Sequence, residues 1–336
     1  MPAAQIRSTT DAELASYARL SARDLVAMSD AELEAMDPLV MNMIVAKAVP
    51  DLANIDFARY CRIVDGWADR IGRGLVASEA AESRTSAAYK ADPDIWRAGG
   101  MAVALAGPTI GIAYTREINM RNHADLFVPG LIDTKRGTCS NMPVLYMAVA
   151  HRLGWPLKAV VAADHMWCRW DDGTKQFNLE ATSTTAAGGD GAFSTPPDES
   201  YRTDLKVSSK AEEVGSDMAT LTARQALGVY LQQRSAFFRE TDRWAEAEED
   251  LLLARVCFPQ NRDIFQSLLL IMGERAKHLF APGERARPFD HGPGPAMGAS
   301  SPRRAEQERL LRQSAEIERI NRENRERLER DRQPPP

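Results

Sequence analysis

The chain has 336 residues, of which 44% are hydrophobic, and a formal net charge of −5. This length and apolar content suffice for a substantial core, most simply one domain of ordinary size with helical additions. Charges of both signs are mixed along the chain, so it lacks the broad basic field that binds nucleic acid. The most apolar segment, residues 101–114, is interrupted by Gly107 and Pro108 and is shorter than the ~20 residues that a membrane helix needs. We therefore expect neither a nucleic-acid partner nor a membrane partner.

The four cysteines, at positions 61, 139, 168 and 257, are scattered along the chain. They show neither the CxxC spacing of a zinc site nor the density of a disulfide framework, which suits a reducing compartment. We expect no metal and no cofactor. The first residues lack a basic segment followed by an apolar stretch, so no secretory signal is predicted. Together these features predict a soluble cytoplasmic protein.

The first part of the chain is helical in pattern. Thr10-Asp-Ala-Glu13 and Ser29-Asp-Ala-Glu32 are capping boxes, each preceding a helical sequence. Residues 1–38 are therefore predicted to form a helical leader. Apolar spacing from residue 39 to residue 71 predicts two or three helices broken near Pro50. Residues 99–114 carry conflicting signals, because glycine and proline disfavour a helix while the last apolar residues alternate as in a strand.

Cys139 lies where a helix is predicted to begin. The segment Arg136-Gly-Thr-Cys-Ser-Asn141 precedes apolar residues at helical spacing, namely Met142, Leu145, Tyr146, Val149 and Leu153. Pro143 suits an early helical position, and Gly154 followed by Pro156 is expected to end the helix. Free N–H groups and the positive end of the helix dipole favour a thiolate at such a helix start.

A strand at residues 157–163 and a following hairpin are predicted next. Asp172-Gly173 favours a two-residue type I′ turn between two alternating segments. That register sets His165 directly across from Glu180, with Cβ atoms ~5 Å apart on one face of the sheet. The same register sets Trp167 across from Asn178.

Side chains alternate along a strand, so the other face of this hairpin is also predictable. Met166, Cys168 and Trp170 are expected to point away from the face that carries His165. Cys168 is therefore a poor nucleophile candidate despite its proximity in sequence to His165.

Cys139, His165 and Glu180 combine the groups that nucleophilic acyl transfer requires. The thiol attacks an acyl carbon, the imidazole takes and returns a proton, and the acid fixes the ring. Asn178 is an alternative orienter, since a bulge that shifts the register by two would bring it to His165.

Two further roles around this site can be assigned from position. Trp167 shares the face of His165 and is predicted to wall a pocket. The backbone N–H of Cys139 is a candidate oxyanion donor, and an upstream polar side chain, Asn122 or His123, is another.

At these residues the chain resembles the transglutaminase-like branch of papain-like cysteine enzymes. The matching pieces are Gly137-Thr-Cys139, Arg152-Leu-Gly-Trp-Pro156, His165-Met-Trp167 and Phe177-Asn-Leu-Glu-Ala-Thr182. Where this family usually has aspartate, as in Asp-Pro-Thr, the chain has Glu180-Ala-Thr182. The resemblance covers about residues 130–183.

This resemblance implies an α+β fold in which the helix carrying Cys139 packs on an antiparallel sheet, with a catalytic core at residues 39–205. By the same likeness Cys139 is the nucleophile, His165 the base and Glu180 the orienter. Helical additions are expected on both sides of the core.

The C-terminal part is predicted to be a helical extension. Apolar and small residues follow the spacing of one tetratricopeptide-like helical pair, with Arg234 where leucine is usual. A single repeat cannot bury its own apolar face, so residues 206–281 are expected to pack on the core, with docking of a protein partner as the alternative. Residues 282–302 are predicted to be a flexible linker, and residues 303–336 a charged helical or disordered tail.

The sequence therefore predicts a cysteine-dependent acyl-transfer enzyme that acts on a peptide or protein amide through a thioester. Amidase or peptidase action and transglutamination differ only in the second nucleophile, water or an amine. Acetyl transfer to arylamines is a related alternative, which would require a thioester donor. An alternative of a different class is a catalytically silent scaffold that uses its helices for binding.

Overall fold

The computed structural model describes residues 6–83, 86–183 and 193–280. In chain order the helices are α1 (Asp11–Tyr17), α2 (Ala22–Ala27), α3 (Asp30–Ala35), α4 (Pro38–Ala46), α5 (Phe57–Glu82), α6 (Ala87–Ala91), α7 (Pro93–Ala106), α8 (His123–Leu126), α9 (Val128–Thr134), α10 (Met142–Leu153), α11 (Asp198–Asp204), α12 (Ser209–Glu213), α13 (Ala223–Glu240), α14 (Trp244–Cys257) and α15 (Arg262–Phe280). The strands are β1 (Ala113–Tyr114), β2 (Arg136–Gly137), β3 (Leu157–Ala162), β4 (His165–Asp171) and β5 (Gln176–Leu179). The predicted linker at 282–302 and tail at 303–336 lie outside the described residues.

The described residues combine helices with small sheets, in agreement with the predicted α+β class. Strands β3, β4 and β5 form an antiparallel sheet in that order, and β1 pairs with β2 in parallel. The more specific papain-like architecture stays a prediction. Across the parts of the chain that the structure covers, no helix has both the length and the apolar character to cross a bilayer.

The N-terminal helices begin as their capping sequences predict. Thr10 and Ser29 form complete capping boxes at the starts of α1 and α3. Ser21 forms a third with Asp24, which the sequence analysis missed because an aspartate replaces the usual glutamate. Helix α4 is almost entirely buried, and a short 3-10 helix at Pro50–Leu52 separates it from α5, which confirms the predicted break.

The segment with conflicting signals divides between two structures. Helix α7 continues through the glycine pair at 99 and 100 and ends at Ala106. Ile110 and Ile112 are then buried, and the alternation ends in the two residues of β1. The strand signal therefore holds only for the last part of the segment.

The tight type I′-like turn occurs in a different hairpin from the predicted one. Ala163 and Asp164 alone connect β3 to β4, and both have positive φ values, 44° and 65°. The predicted two-residue turn at Asp172-Gly173 is wrong. Asp171 pairs with Gln176, so four residues form that loop.

Side-chain capping by Asp172 explains the longer loop. Its Oδ1 accepts hydrogen bonds from the backbone N–H groups of Thr174 and Lys175, both at 2.8 Å. This Asx-type turn extends the loop by two residues and shifts the register of β4 and β5 by two. Since a shift of two preserves which residues share a face, the predicted faces are unaffected.

The two faces of the main sheet carry different clusters. Met166, Cys168 and Trp170 belong to the principal core, where the Cys168 thiol contacts the carbonyl oxygen of Pro143 in α10. The opposite face carries a smaller cluster formed by Val160, Ala162, Trp167, Tyr201 and Met218. Helix α10 thus covers one face of the sheet, and the predicted separation of Cys168 from His165 is confirmed.

Helices α13 and α14 form a hairpin that is held together by a buried ion pair and hydrogen-bonded to α4 through the same arginine. The Arg234 guanidinium donates to Asp250 of α14 at 2.7 Å and to the carbonyl oxygen of Val45 in α4 at 2.5 Å. The hairpin therefore packs on the N-terminal helices. Its assignment as tetratricopeptide-like stays a prediction.

The chain divides after Ile271 into two compact units. The first contains the described sheets and the described helices up to the first half of α15. Of the second, the structure describes residues 272–280, which form the end of α15.

Candidate active site

Cys139 lies in the turn that leads from β2 into α10, as the sequence predicts. The N–H of Thr138 donates to Asn141 Oδ1 at 2.9 Å, and the N–H of Ser140 donates to Thr138 Oγ1 at 3.1 Å. Both Thr138 and Asn141 are fully buried, so this turn is held from within the core. Helix α10 begins three residues after Cys139 and ends at Leu153, where Gly154 caps it with φ 73°.

Gly137 makes the close packing of this turn possible. A Cβ at this position would lie 2.3 Å from Met142 Cγ and 2.6 Å from Leu131 Cδ1. These distances are far below van der Waals contact, so a larger residue would displace the side chains of Met142 and Leu131. The Gly-Thr-Cys sequence thus reflects a steric requirement next to Cys139.

The turn between β3 and β4 brings the start of β4 to the Cys139 side chain. The Cys139 sulfur lies 3.8 Å from the carbonyl oxygen of Asp164, and the residue is 9% exposed. His165 follows Asp164 directly and is the first residue of β4. The positive φ of Asp164 directs its carbonyl and the imidazole that follows toward the cysteine.

The His165 imidazole interacts with both proposed partners. Its Nε2 lies 2.9 Å from Glu180 Oε2, which leaves Nδ1 as the ring nitrogen available to the thiol. Burial lowers the pKa of His165, but hydrogen bonds with Cys139 and Glu180 outweigh burial and raise it to about 9. The ring is therefore protonated, and positively charged, at neutral pH.

Glu180 reaches His165 from just beyond the end of β5. Its Oε1 accepts hydrogen bonds from the N–H and hydroxyl of Thr182, at 2.8 and 2.7 Å. Burial raises the pKa of Glu180, but the contacts with His165 and Thr182 dominate and lower it. The carboxylate is thus ionised and held by donors on both oxygens.

The predicted direct opposition of His165 and Glu180 is wrong, although the side chains meet. In the observed register Cys168 pairs with Leu179, so Glu180 lies diagonally from His165. Diagonal neighbours in an antiparallel pair are ~7–8 Å apart at Cα. The long glutamate side chain spans this separation.

Asn178, the alternative orienter, is bound elsewhere. Its Oδ1 accepts from Trp167 Nε1 at 3.1 Å and from Arg169 Nε at 2.9 Å, and its Nδ2 donates to Asp198 at 2.7 Å. The register does shift by two, but in the direction that moves Asn178 away from His165. Among the described residues Asn178 therefore supports the sheet and α11, and it makes no hydrogen bond with the imidazole.

Trp167 does not wall the cavity beside Cys139, contrary to the sequence-based expectation. Its side chain is completely buried, and its ring stacks on Tyr201 with centroids 4.0 Å apart. The face was predicted correctly, but α11 covers that face, which a hairpin pattern alone does not reveal.

The upstream candidates for an oxyanion donor are engaged in other contacts. Asn122 caps helix α8 by accepting from the N–H of Ala124 at 3.1 Å, and His123 lies 3.5 Å from Asp51. Neither side chain lines the cavity that contains Cys139. Within the described part of the chain no group accepts a hydrogen bond from the Cys139 N–H, so this donor remains available to a substrate oxygen.

A cavity of about 570 Å³ opens beside Cys139 and His165. Its far wall is formed by α13 and the first part of α15, which the sequence analysis did not connect with the site. This wall, with Asn261 just before α15, is rich in side-chain amides and hydroxyls, which are Gln232, Gln233, Ser235, Asn261, Gln266 and Ser267. Gln233 Nε2 also donates to the carbonyl oxygen of Ser140 at 3.3 Å, so α13 contacts the Cys139 turn itself.

Sequence reasoning missed two residues that complete the surroundings of Glu180. Thr182 lies within the segment Phe177–Thr182, which carries the family resemblance, so the sequence already indicated that Thr182 lies near the site. Tyr201 lies on α11, beyond a Ser, Thr and Gly-rich stretch, and donates its hydroxyl to Glu180 Oε2 at 2.9 Å. Nothing in the local sequence of α11 indicates that contact.

Comparison with known proteins supports a family resemblance for the middle of the chain. No curated protein and no solved structure matches the chain. A family model described as the transglutaminase-like superfamily matches residues 112–187, the segment that contains Cys139, His165 and Glu180. The resemblance inferred from the sequence is therefore confirmed for this segment, which is similar to the transglutaminase-like superfamily.

Proposed function

We propose that the chain is a cysteine-dependent acyl-transfer enzyme in which Cys139 is the nucleophile, His165 the acid and base, and Glu180 the orienter. The observation that carries this proposal is the position of Cys139 before α10 together with a His165 imidazole that Glu180 holds at 2.9 Å. The likeness to the transglutaminase-like superfamily supports the same assignment.

The charge of the His165 ring supports its role as the acid. The raised pKa of His165, about 9, keeps the ring protonated at neutral pH. The thiolate attacks the acyl carbon of an amide, and the developing oxyanion accepts a hydrogen bond from the N–H of Cys139. The imidazolium then gives its proton to the leaving nitrogen as the C–N bond breaks, which leaves a thioester on Cys139.

A second nucleophile completes the cycle. Water or a primary amine gives a proton to the now neutral His165 and attacks the thioester carbon, and the carbon–sulfur bond breaks to restore the thiolate. Water gives amidase or peptidase action, and an amine gives transamidation.

The cavity suits a peptide or protein amide as substrate. Its volume of about 570 Å³ is within the range of ligand sites. Side-chain amides such as Gln232, Gln233 and Gln266 supply both donors and acceptors, which match the N–H and C=O groups of a peptide backbone. These residues belong to the helices that follow the matched segment.

Alkylation of the full chain with iodoacetamide tests the proposal. Cys61, Cys168 and Cys257 are the matched internal controls, because burial raises the pKa of each of these thiols. We expect Cys139 to react fastest at neutral pH and its rate to fall in His165→Gln. A Cys139 rate that His165→Gln leaves unchanged contradicts the proposal and favours the silent scaffold.

Acyl transfer itself is tested with an activity-based acyl probe and a peptide-amide library. Wild type is expected to form a covalent adduct and to release amine, whereas Cys139→Ala does neither. Cys168→Ala is the control for loss of a cysteine outside the site, since Cys168 is completely buried on the other face of the sheet.

A further inference from the structure

Tyr201 contacts the proposed site from outside the segment that matches the transglutaminase-like family. It lies on α11 (Asp198–Asp204), and the match ends at residue 187. Its hydroxyl donates to Glu180 Oε2 at 2.9 Å, the same oxygen that bonds His165 Nε2. Tyr201 is 6% exposed, so water does not compete freely for this contact.

The Tyr201 ring is fixed from two directions. It stacks on Trp167 with an interplanar angle of 6° and a centroid separation of 4.0 Å. Helix α11 is also tied to the sheet at its first residue, because Asp198 accepts from Arg169 at 2.6 Å and from Asn178 at 2.7 Å. The direction of the hydroxyl is therefore determined by packing as well as by its hydrogen bond.

The hydroxyl acts as a donor because it stays protonated. Burial and the negative charge of Glu180 raise the pKa of Tyr201. With the two donors of Thr182 on Oε1, and with His165 and Tyr201 on Oε2, each carboxylate oxygen has two partners. A glutamate has one more rotatable bond than an aspartate, so it needs more contacts to hold one orientation.

We propose that Tyr201 is a positioning residue of the Cys139 site, whose hydroxyl holds Glu180 Oε2 so that the carboxylate fixes the His165 ring. Helix α11 is then a required part of the active site. This inference rests on the proposed function, since it gives Tyr201 a role in that chemistry.

Removal of the hydroxyl has a specific electrostatic consequence. Glu180 Oε2 loses a donor that stabilises its negative charge, so it attracts the proton of His165 more strongly. Besides His165 and Tyr201, the titratable groups that interact with Glu180 are Tyr114, Tyr146 and Cys168, and burial raises the pKa of each, which leaves them neutral at pH 7. The guanidinium of Arg169 also acts on Tyr201.

The test compares Tyr201→Phe with Tyr60→Phe in the full chain. Tyr60 is a matched control, because it is also 6% exposed and also donates to a carboxylate, Asp133 Oδ2, at 2.6 Å. The measurement is the titration of His165, which is monitored by NMR of labelled histidine. The His165 signal is assigned by its absence from the spectrum of His165→Gln. We expect Tyr201→Phe to raise the midpoint by about one pH unit, a tenfold change in proton affinity, and Tyr60→Phe to leave it unchanged.

An unchanged midpoint in Tyr201→Phe overturns the inference, and so does an equal change in both variants. If Tyr201→Phe does not fold, Tyr201→3-fluorotyrosine keeps the ring and makes the hydroxyl a stronger donor, and the midpoint is then expected to fall; an unchanged midpoint again overturns the inference. Failure of the proposed function is seen in a separate measurement, as a Cys139 alkylation rate that is the same in wild type and in His165→Gln.

Discussion

His165 and Glu180 hydrogen-bond at 2.9 Å although they do not face each other across the hairpin. The contact depends on the length of the glutamate and on the two-residue turn that places His165 at the start of β4. This geometry lets the charge of Glu180 raise the pKa of His165 together with the contact with Cys139, without direct strand pairing.

Glu180→Gln tests that dependence. The amide keeps the size of the side chain but lacks the negative charge, so the pKa of His165 is expected to fall from about 9 toward its ordinary value. We expect alkylation of Cys139 at pH 7 to slow by about tenfold, the effect of one pH unit in proton affinity. Glu79→Gln is the control, since Glu79 bonds Tyr89 and Arg97 away from the site. Equal rates in Glu180→Gln and wild type would refute this prediction.

The stability of the fold is expected to depend on pH through His165. Its folded pKa of about 9 exceeds the unfolded value of ~6.5, so its stabilising contribution is complete below pH ~6.5 and is lost as the pH rises through about 9. The contribution is at most about 3 kcal/mol. Urea unfolding from pH 6 to 10 should show wild type losing stability relative to His165→Gln over this range. A constant difference between the two proteins would contradict the assignment.

Gly137→Ala is expected to disturb the Cys139 turn. The added methyl group would overlap Met142 and Leu131, and such overpacking costs about 1–3 kcal/mol of the free energy of unfolding. Gly66→Ala in α5 is the opposite control, because no atom lies within 4 Å of the position that its methyl group would take and alanine favours a helix by about 0.5–1 kcal/mol. Urea denaturation measures both. A Gly137→Ala variant whose free energy of unfolding equals or exceeds that of wild type would contradict this prediction.

Asp250→Ala is expected to be strongly destabilising. It would leave the Arg234 guanidinium buried beside an apolar space, which costs about 3–5 kcal/mol. The double variant Arg234→Leu with Asp250→Leu removes both charges. It is expected to lose much less free energy of unfolding than a variant that removes the charge of Asp250 alone. Thermal and urea unfolding of wild type, the two single leucine variants and the double variant give the coupling energy. Additive effects would mean that the two side chains do not depend on each other.

The sequence allowed the local features of the site to be predicted because each follows from short-range chemistry. The helix start after Cys139, its end before Gly154 and the faces of β4 all depend on residues a few positions apart. The turn between β3 and β4 was not predicted, because Ala163 is an unusual residue at positive φ, whereas Asp172-Gly173 has the composition that such turns favour.

The remaining parts of the site depend on contacts between distant segments. Tyr201 reaches the carboxylate from α11, and Gln233 reaches the Cys139 turn from α13, both far along the chain from the cysteine. Their local sequences are those of ordinary amphipathic helices. Only the tertiary arrangement shows that α11 and α13 adjoin the site.

The position of α11 limits which fragments of this protein keep the site complete. A fragment that stopped at residue 187 would retain the sulfur, the ring and the acid, yet the acid would lose its phenolic neighbour and the cleft would lose its opposite side. The segment that the family model recognises is thus incomplete by itself, and any attempt to transplant or minimise it has to carry the helices that come after it.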